Sequence, residues 1–130
     1  MTSLDDWPGA YARALASQRW SEVDPLVHDG VCATFSDGSR HEGRSAVRAA
    51  FERNFAAIQD ERYAISNLRW IRRGTDHALY VFDFAWSGVI GGRPASGAGR
   101  GTTALVREGD RWLMIAEHLG PKPPARKEAP

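Results

Sequence analysis

The sequence predicts an α+β domain in which helices cover one face of a curved antiparallel sheet. Three observations carry that prediction. The first half of the chain holds segments of helical apolar spacing around a single strand. The second half is a succession of strands. The last two of these, residues 99–107 and 111–119, are too apolar to stand in water without a covering layer. A sheet curved around helices in this way leaves a cavity between the layers, lined by one face of each strand.

Residues 5–18 open the chain as a helix. Asp5 or Asp6 stands at its cap, and Pro8 falls in the first turn, where a missing N–H is tolerated. Trp7, Tyr11, Ala14 and Leu15 recur on one face. A break near Arg19 separates a short second helix carrying Trp20, Val23, Leu26 and Val27, with Pro25 limiting its regularity. Residues 31–36 read as a strand that ends in a turn at Asp37-Gly38-Ser39. Residues 44–60 have helical periodicity, with Val47, Ala50, Phe51, Phe55 and Ile58 forming the apolar stripe. Strands at 62–72, 77–89 and 99–107 follow. Gly74-Thr75-Asp76 turns the first pair, residues 89–97 form a longer, flexible loop, and Glu108-Gly109-Asp110 leads into the last strand. Residues 121–130 are proline-rich and charged and read as a disordered tail, which leaves residues 1–120 as one domain.

At 130 residues, 42% hydrophobic and 25% charged, the chain has the composition of a soluble protein with one core. A net charge of +1 with scattered basic residues gives no footprint for nucleic acid or an anionic membrane. No apolar run approaches membrane-spanning length. The lone Cys32 excludes an internal disulfide, and no signal peptide is read at the start, so the cytoplasm is the expected location. No His, Asp or Glu spacing matches a recurrent metal site. Gly97-Ala98-Gly99-Arg100-Gly101 runs from a hairpin loop into a strand rather than a helix, so it lacks the geometry that cradles phosphate. Neither a metal nor a cofactor is expected.

The order of elements, with Gly101-Thr102-Thr103, Gly109-Asp110-Arg111-Trp112 and Glu117-His118-Leu119, resembles the NTF2-like superfamily. Within it the chain is most similar to the SnoaL-like and ketosteroid-isomerase-like proteins, over residues 5–120. The resemblance implies a cone: a curved antiparallel or mixed sheet wrapped around the N-terminal and long third helices, with a pocket between. It implies that Tyr11 donates a hydrogen bond to a developing oxyanion and that Asp37 is the general base. Apolar neighbours such as Phe35 and Trp86 would raise the Asp37 pKa toward a useful value. Phe82, Phe84 and Trp86 would line the pocket, with Trp20, Phe51 and Phe55 from the helical side. In the isomerases a second oxyanion donor is an acid on the strand before the final turn. That position falls near Thr102, a departure that points away from steroid isomerisation itself.

The last strand ends with two ionisable groups among apolar ones. By alternation Leu113, Ile115, Glu117 and Leu119 share one face, and Trp112, Met114, Ala116 and His118 the other. The family's registration turns Glu117 toward the pocket. A one-residue bulge would exchange it for His118, so both are candidates. An unpaired carboxylate there would cost several kcal/mol. Glu117 therefore either pairs with Arg100 across the hairpin or sits in a wet pocket.

The expected function is acid–base catalysis on a small apolar or aromatic molecule by isomerisation, cyclisation or hydrolysis. The alternative is a non-catalytic binding or dimerisation domain of the same fold. The expected assembly is a homodimer packed sheet to sheet, with Trp112, Met114, Ala116, His118, Thr103 and Leu105 on the shared face.

Overall fold

Long strands dominate the second half of the chain in the computed structural model, which describes residues 2–122. The order is α1 (Trp7–Ser17), α2 (Trp20–Val23) with a 3-10 turn at Asp24–Leu26, β1 (Val27–Thr34), β2 (Arg40–Glu42) and α3 (Arg44–Ala57). Then come β3 (Gln59–Arg73), β4 (His77–Ile90), β5 (Arg93–Glu108) and β6 (Arg111–Pro121). One sheet holds six strands in the order β2-β1-β6-β5-β4-β3. Neighbours are antiparallel except β1 and β6, which run parallel inside the sheet and bring its first and last strands in sequence together. The result is the expected cone with a mixed sheet.

The helices pack on one face of this sheet because their apolar stripes point there. Trp7, Tyr11 and Ala14 of α1 and Val47, Ala50 and Phe51 of α3 are buried. All of these but Ala50 meet Ala78, Tyr80, Phe82 and Phe84 of β4, Leu105 of β5 and Met114 of β6 in one core. The Trp7 indole N–H donates to the Trp112 carbonyl at 3.0 Å, so α1 is fixed to the last strand by a bond as well as by area. At the other end of α1, Gln18 takes a left-handed conformation with φ 57°. Its side-chain amide donates to the carbonyls of Phe55 and Ile58, closing α1 against the end of α3. Arg44 does similar work at the opposite corner. It binds Asp24 at 2.8 Å, Asp29 at 2.9 Å and the Val27 carbonyl.

Several boundaries differ from the sequence reading, each for a local reason. The loop expected over residues 89–97 is a tight hairpin turn. Gly91 and Gly92 take φ 57° and 78°, the pair of positive values that suits a two-residue hairpin, so β4 and β5 continue almost to it. Pro94 is tolerated inside β5 because β6 pairs β5 only as far as Gly99, leaving residues 93–98 an edge. Strand β1 begins at Val27, where a second helix was expected to end, and β2 was not anticipated. Helix α3 stops at Ala57, three residues early, and β3 begins at Gln59 with Asp60 at φ 51°. Strand β6 runs through Pro121, and Lys122 lies 3.2 Å from Asp83, so two residues assigned to the tail have defined places. The rest of the expected tail, residues 123–130, lies outside the described residues.

The largest correction concerns β6. Leu105 pairs with Met114 but Ala104 with Ala116, so one extra residue, Ile115, bulges from the ladder. The bulge resets the alternation. Trp112 and Met114 before it, and Glu117 and Leu119 after it, all point to the helical side. Met114, Leu105 and Thr103 are core residues at 0%, 1% and 0% exposure. The outer face proposed for dimerisation from simple alternation therefore does not exist in that form. Among the described residues no helix is long and apolar enough to cross a membrane.

Candidate functional site

A cavity of about 370 Å³ opens between the helices and the inner face of the sheet. Leu15 of α1, Phe51, Asn54 and Phe55 of α3, Phe84 and Trp86 of β4, and Glu117 and Leu119 of β6 line it. Phe35, Ser36 and Asp37 follow β1 along one side, and Ile58, Glu61 and Tyr63 lie along the other. Ser36, Asp37 and Asn54 are exposed and mark its mouth.

The floor owes its shape to glycines. Gly97, Gly99 and Gly101 of β5 stand opposite Trp86, Phe84 and Phe82 of β4. A β-carbon built on Gly99 would lie 2.5 Å from the Phe84 ring, and one on Gly97 2.5 Å from the Trp86 indole nitrogen. One on Gly101 would collide with the Phe82 ring. The alternating glycines let these rings lie over the neighbouring strand. The segment that superficially resembles a phosphate loop is thus an aromatic seat.

Glu117 is the most deeply buried carboxylate among the described residues, 3% exposed. The Tyr11 hydroxyl donates to its Oε1 at 2.9 Å, and the Thr103 hydroxyl donates to Oε2 at 3.2 Å. Burial raises the Glu117 pKa to about 7, against the two hydrogen bonds, which favour the ionised form. Desolvation dominates because no cation among the described residues reaches this carboxylate. Tyr11 stacks on Trp7 with ring centroids 5.0 Å apart. Burial and the Glu117 charge push its phenol well above the usual range. Tyr63, also raised by burial and then by Glu117, lines the cavity, and its hydroxyl has no hydrogen-bond partner among the described residues.

Asp37 differs from its expectation. It lies on the cavity rim, but its carboxylate is exposed and accepts bonds from the Ser39 hydroxyl at 2.6 Å and the Ser39 N–H at 2.9 Å. These bonds hold its pKa below the ordinary carboxylate range, where apolar neighbours were expected to raise it. The turn that places Asp37 also satisfies it.

The other sequence candidates divide cleanly. Phe51, Phe55, Phe84 and Trp86 line the cavity. Trp20 and Phe82 are core, with the Trp20 ring edge-on to Phe51 and its N–H donating to Asp24. Arg100, Thr102 and His118 lie on the opposite face of the sheet, around a separate concavity with Asp83. Arg100 pairs with Asp83 at 3.4 Å, so it is not the partner of Glu117. Thr102 points outward because its neighbour Thr103 pairs directly with Glu117. Thr103, Tyr63 and Glu61 were missed. Thr103 could have been found by placing it opposite Glu117 across the hairpin, whereas nothing local distinguishes Tyr63 or Glu61.

A family model described as the SnoaL-like domain matches residues 6–122. The chain belongs to the SnoaL-like family. No protein of curated function matches it. Among solved structures, a candidate aromatic ring hydroxylase from Novosphingobium aromaticivorans superposes with TM-score 0.83 at 19% identity, covering 93% of this chain and 87% of that one. A candidate dehydratase of the NTF2-like family from Streptomyces avermitilis gives 0.79 at 14% identity, covering 92% and 93%. A candidate calcium/calmodulin-dependent protein kinase type II association domain from Thiobacillus denitrificans gives 0.81 at 22%, covering 95% and 98%. At these identities the SnoaL-like chain shares their fold, and its chemistry must be read from its own pocket.

Proposed function

We propose that this SnoaL-like protein is a cofactor-independent acid–base enzyme acting on a small apolar or aromatic molecule, with Glu117 as the proton acceptor. One observation carries the reading: a buried carboxylate with a pKa near 7 faces an aromatic-walled cavity that reaches solvent. A base of that pKa is half ionised at neutral pH and strong enough to take a proton from an activated carbon or from water. Tyr11 and Thr103 hold the carboxylate in place. Because the Tyr11 hydroxyl is committed to Glu117, the oxyanion role that the family resemblance gives it passes in this reading to Tyr63. In an isomerisation, Glu117 removes a proton beside a carbonyl, the electron pair moves onto the carbonyl oxygen, and Tyr63 donates to that oxygen. The proton returns from Glu117 to another carbon. Cyclisation and hydrolysis would use the same two groups. Asp37 stays at the mouth, and the names of the hydroxylase and dehydratase neighbours fit an enzyme on this scaffold.

The test uses 5-nitrobenzisoxazole, an apolar aromatic probe with one acidic C–H. A base removes that proton, the ring N–O bond breaks, and a coloured nitrophenolate is released. The protein should accelerate this ring opening, and Glu117→Gln should reduce the acceleration by about 10²-fold or more with folding intact. No acceleration by the unmodified protein would favour the second reading, a non-catalytic binding or assembly domain, in keeping with the name of the association-domain neighbour.

The same proposal retains a homodimer through the sheet, on a revised surface. Leu79, Val81, Ala104, Val106, Ile115 and Ala116 are half-exposed on or beside the outer face, an apolar set that a second copy of the sheet would cover. A free Cys32 suits the cytoplasm as the location.

A further inference from the structure

The charges around the cavity select the ligand, an argument that rests on the reading of this cavity as the substrate site. Asp37, Glu61 and Glu117 line it, and among the described residues no lysine, arginine or histidine does. The chain as a whole carries 17 basic residues against 16 acidic ones, so an all-acidic lining runs against its composition. Two of the three carboxylates are already occupied. Glu117 is bonded by Tyr11 and Thr103, and Asp37 by Ser39. Glu61 is half-buried and has neither a hydrogen-bond nor an ion-pair partner among the described residues; burial alone raises its pKa. A half-desolvated carboxylate without a partner is costly, and a cation beside it would remove that cost. The remaining walls include the rings of Phe51, Phe55, Phe84 and Trp86, whose faces attract cations and whose area suits an apolar body.

We infer that the cavity takes an organic ammonium: an aromatic or alicyclic body seated on the rings of β4 and α3, with a primary or secondary amine paired to Glu61. The body then lies between Glu61 and Glu117, so one carboxylate anchors the ligand while the other works on its carbon skeleton. An anionic ligand of the same shape is rejected, because among the described residues three carboxylates and no cation face it.

Calorimetric titration with three indoles of nearly equal size separates the terms: tryptamine (cation), tryptophol (neutral) and indole-3-propionate (anion). Tryptamine should bind at least tenfold more tightly than tryptophol, and indole-3-propionate more weakly than both. Raising the salt concentration should narrow the tryptamine advantage. Glu61→Gln should bring the ratio of tryptamine to tryptophol affinity to about one, and a charge-preserving Glu61→Asp should keep part of it. Equal affinities, tighter binding of the propionate, no binding of any of the three at millimolar concentration, or a preference that survives Glu61→Gln each overturns the inference. Ring opening of the benzisoxazole, which is uncharged, is scored separately. Its success without an amine preference refutes the ligand class alone, and an amine preference without ring opening refutes the base alone.

Discussion

The Tyr11 hydroxyl donates a 2.9 Å hydrogen bond to Oε1 of Glu117, tying the first helix to the last strand across 106 residues of sequence. The bond is buried, and it holds in place the one carboxylate that reaches the inner end of the cavity. Removing it with Tyr11→Phe leaves Oε1 without that donor. The expected cost is about 1–3 kcal/mol of stability. The hydrogen bond favours the ionised carboxylate, so the pKa of Glu117 should also rise. Thermal melting and the pH midpoint of benzisoxazole ring opening check the two effects, and a midpoint that falls would contradict the role given to the bond.

Glu117 also makes stability depend on pH in a direction opposite to that of most carboxylates. Its folded pKa is about 7, above the ordinary carboxylate value of the unfolded chain. Between roughly pH 4.5 and pH 7 the folded state therefore binds more protons than the unfolded one, and stability falls as pH rises through that window. The full effect is up to about 3 kcal/mol. Asp37, Asp76 and Asp83, whose pKa values are lowered, act in the other direction and below the window. Chemical denaturation at pH 5 and pH 7.5 should show the loss in the unmodified protein and a clearly smaller one in Glu117→Gln, where only Glu61, whose pKa burial also raises, still acts in that direction. A stability that climbs across the same interval in both would contradict this assignment.

The seat under the aromatic rings can be tested by adding single methyl groups. Gly101→Ala should destabilise by about 1–3 kcal/mol, since its β-carbon collides with the Phe82 ring in the core. Gly99→Ala meets the Gly120 carbonyl oxygen of β6 as well as Phe84, which lines the cavity, so it should destabilise and also weaken tryptophol binding. A β-carbon at Gly120 has nothing within 4 Å, and Gly120→Ala is the near-neutral control. Equal melting temperatures for Gly101→Ala and Gly120→Ala would show that the Phe82 ring shifts freely.

Placement of the pocket on one side of the sheet leaves the other side for assembly. Val81→Arg puts a charge on the half-exposed outer face beside Thr102 and away from Glu117. Light scattering at micromolar concentration should give a dimer mass for the unmodified chain and a monomer mass for the variant. A monomer in both cases would remove the dimer from the account.

The sequence made the scaffold legible and the site only partly so. The spacing of Trp7, Tyr11 and Ala14, and of Val47, Ala50 and Phe51, marked the covering helical faces because burial imposes one period along each. Glu117 stood out as a carboxylate in an apolar strand. What alternation could not supply was the bulge at Ile115, which returns Met114 and Glu117 to one side and leaves Thr102 and His118 on the other. A bulge is fixed by pairing across strands, and no local pattern announces it. Asp37 misled for a related reason: the turn that presents it also supplies Ser39 to bind it. The role of Gly97, Gly99 and Gly101 became visible only once Trp86, Phe84 and Phe82 were known to stand opposite them.

The pH dependence of benzisoxazole ring opening tests the central assignment most directly. With Glu117 as the base, the rate for the unmodified protein should rise with pH to a plateau, with a midpoint near 7. Glu117→Gln should abolish that titration, and Asp37→Asn should leave its midpoint in place. A midpoint in the ordinary carboxylate range that disappears in Asp37→Asn, or an undiminished rate in Glu117→Gln, would contradict it.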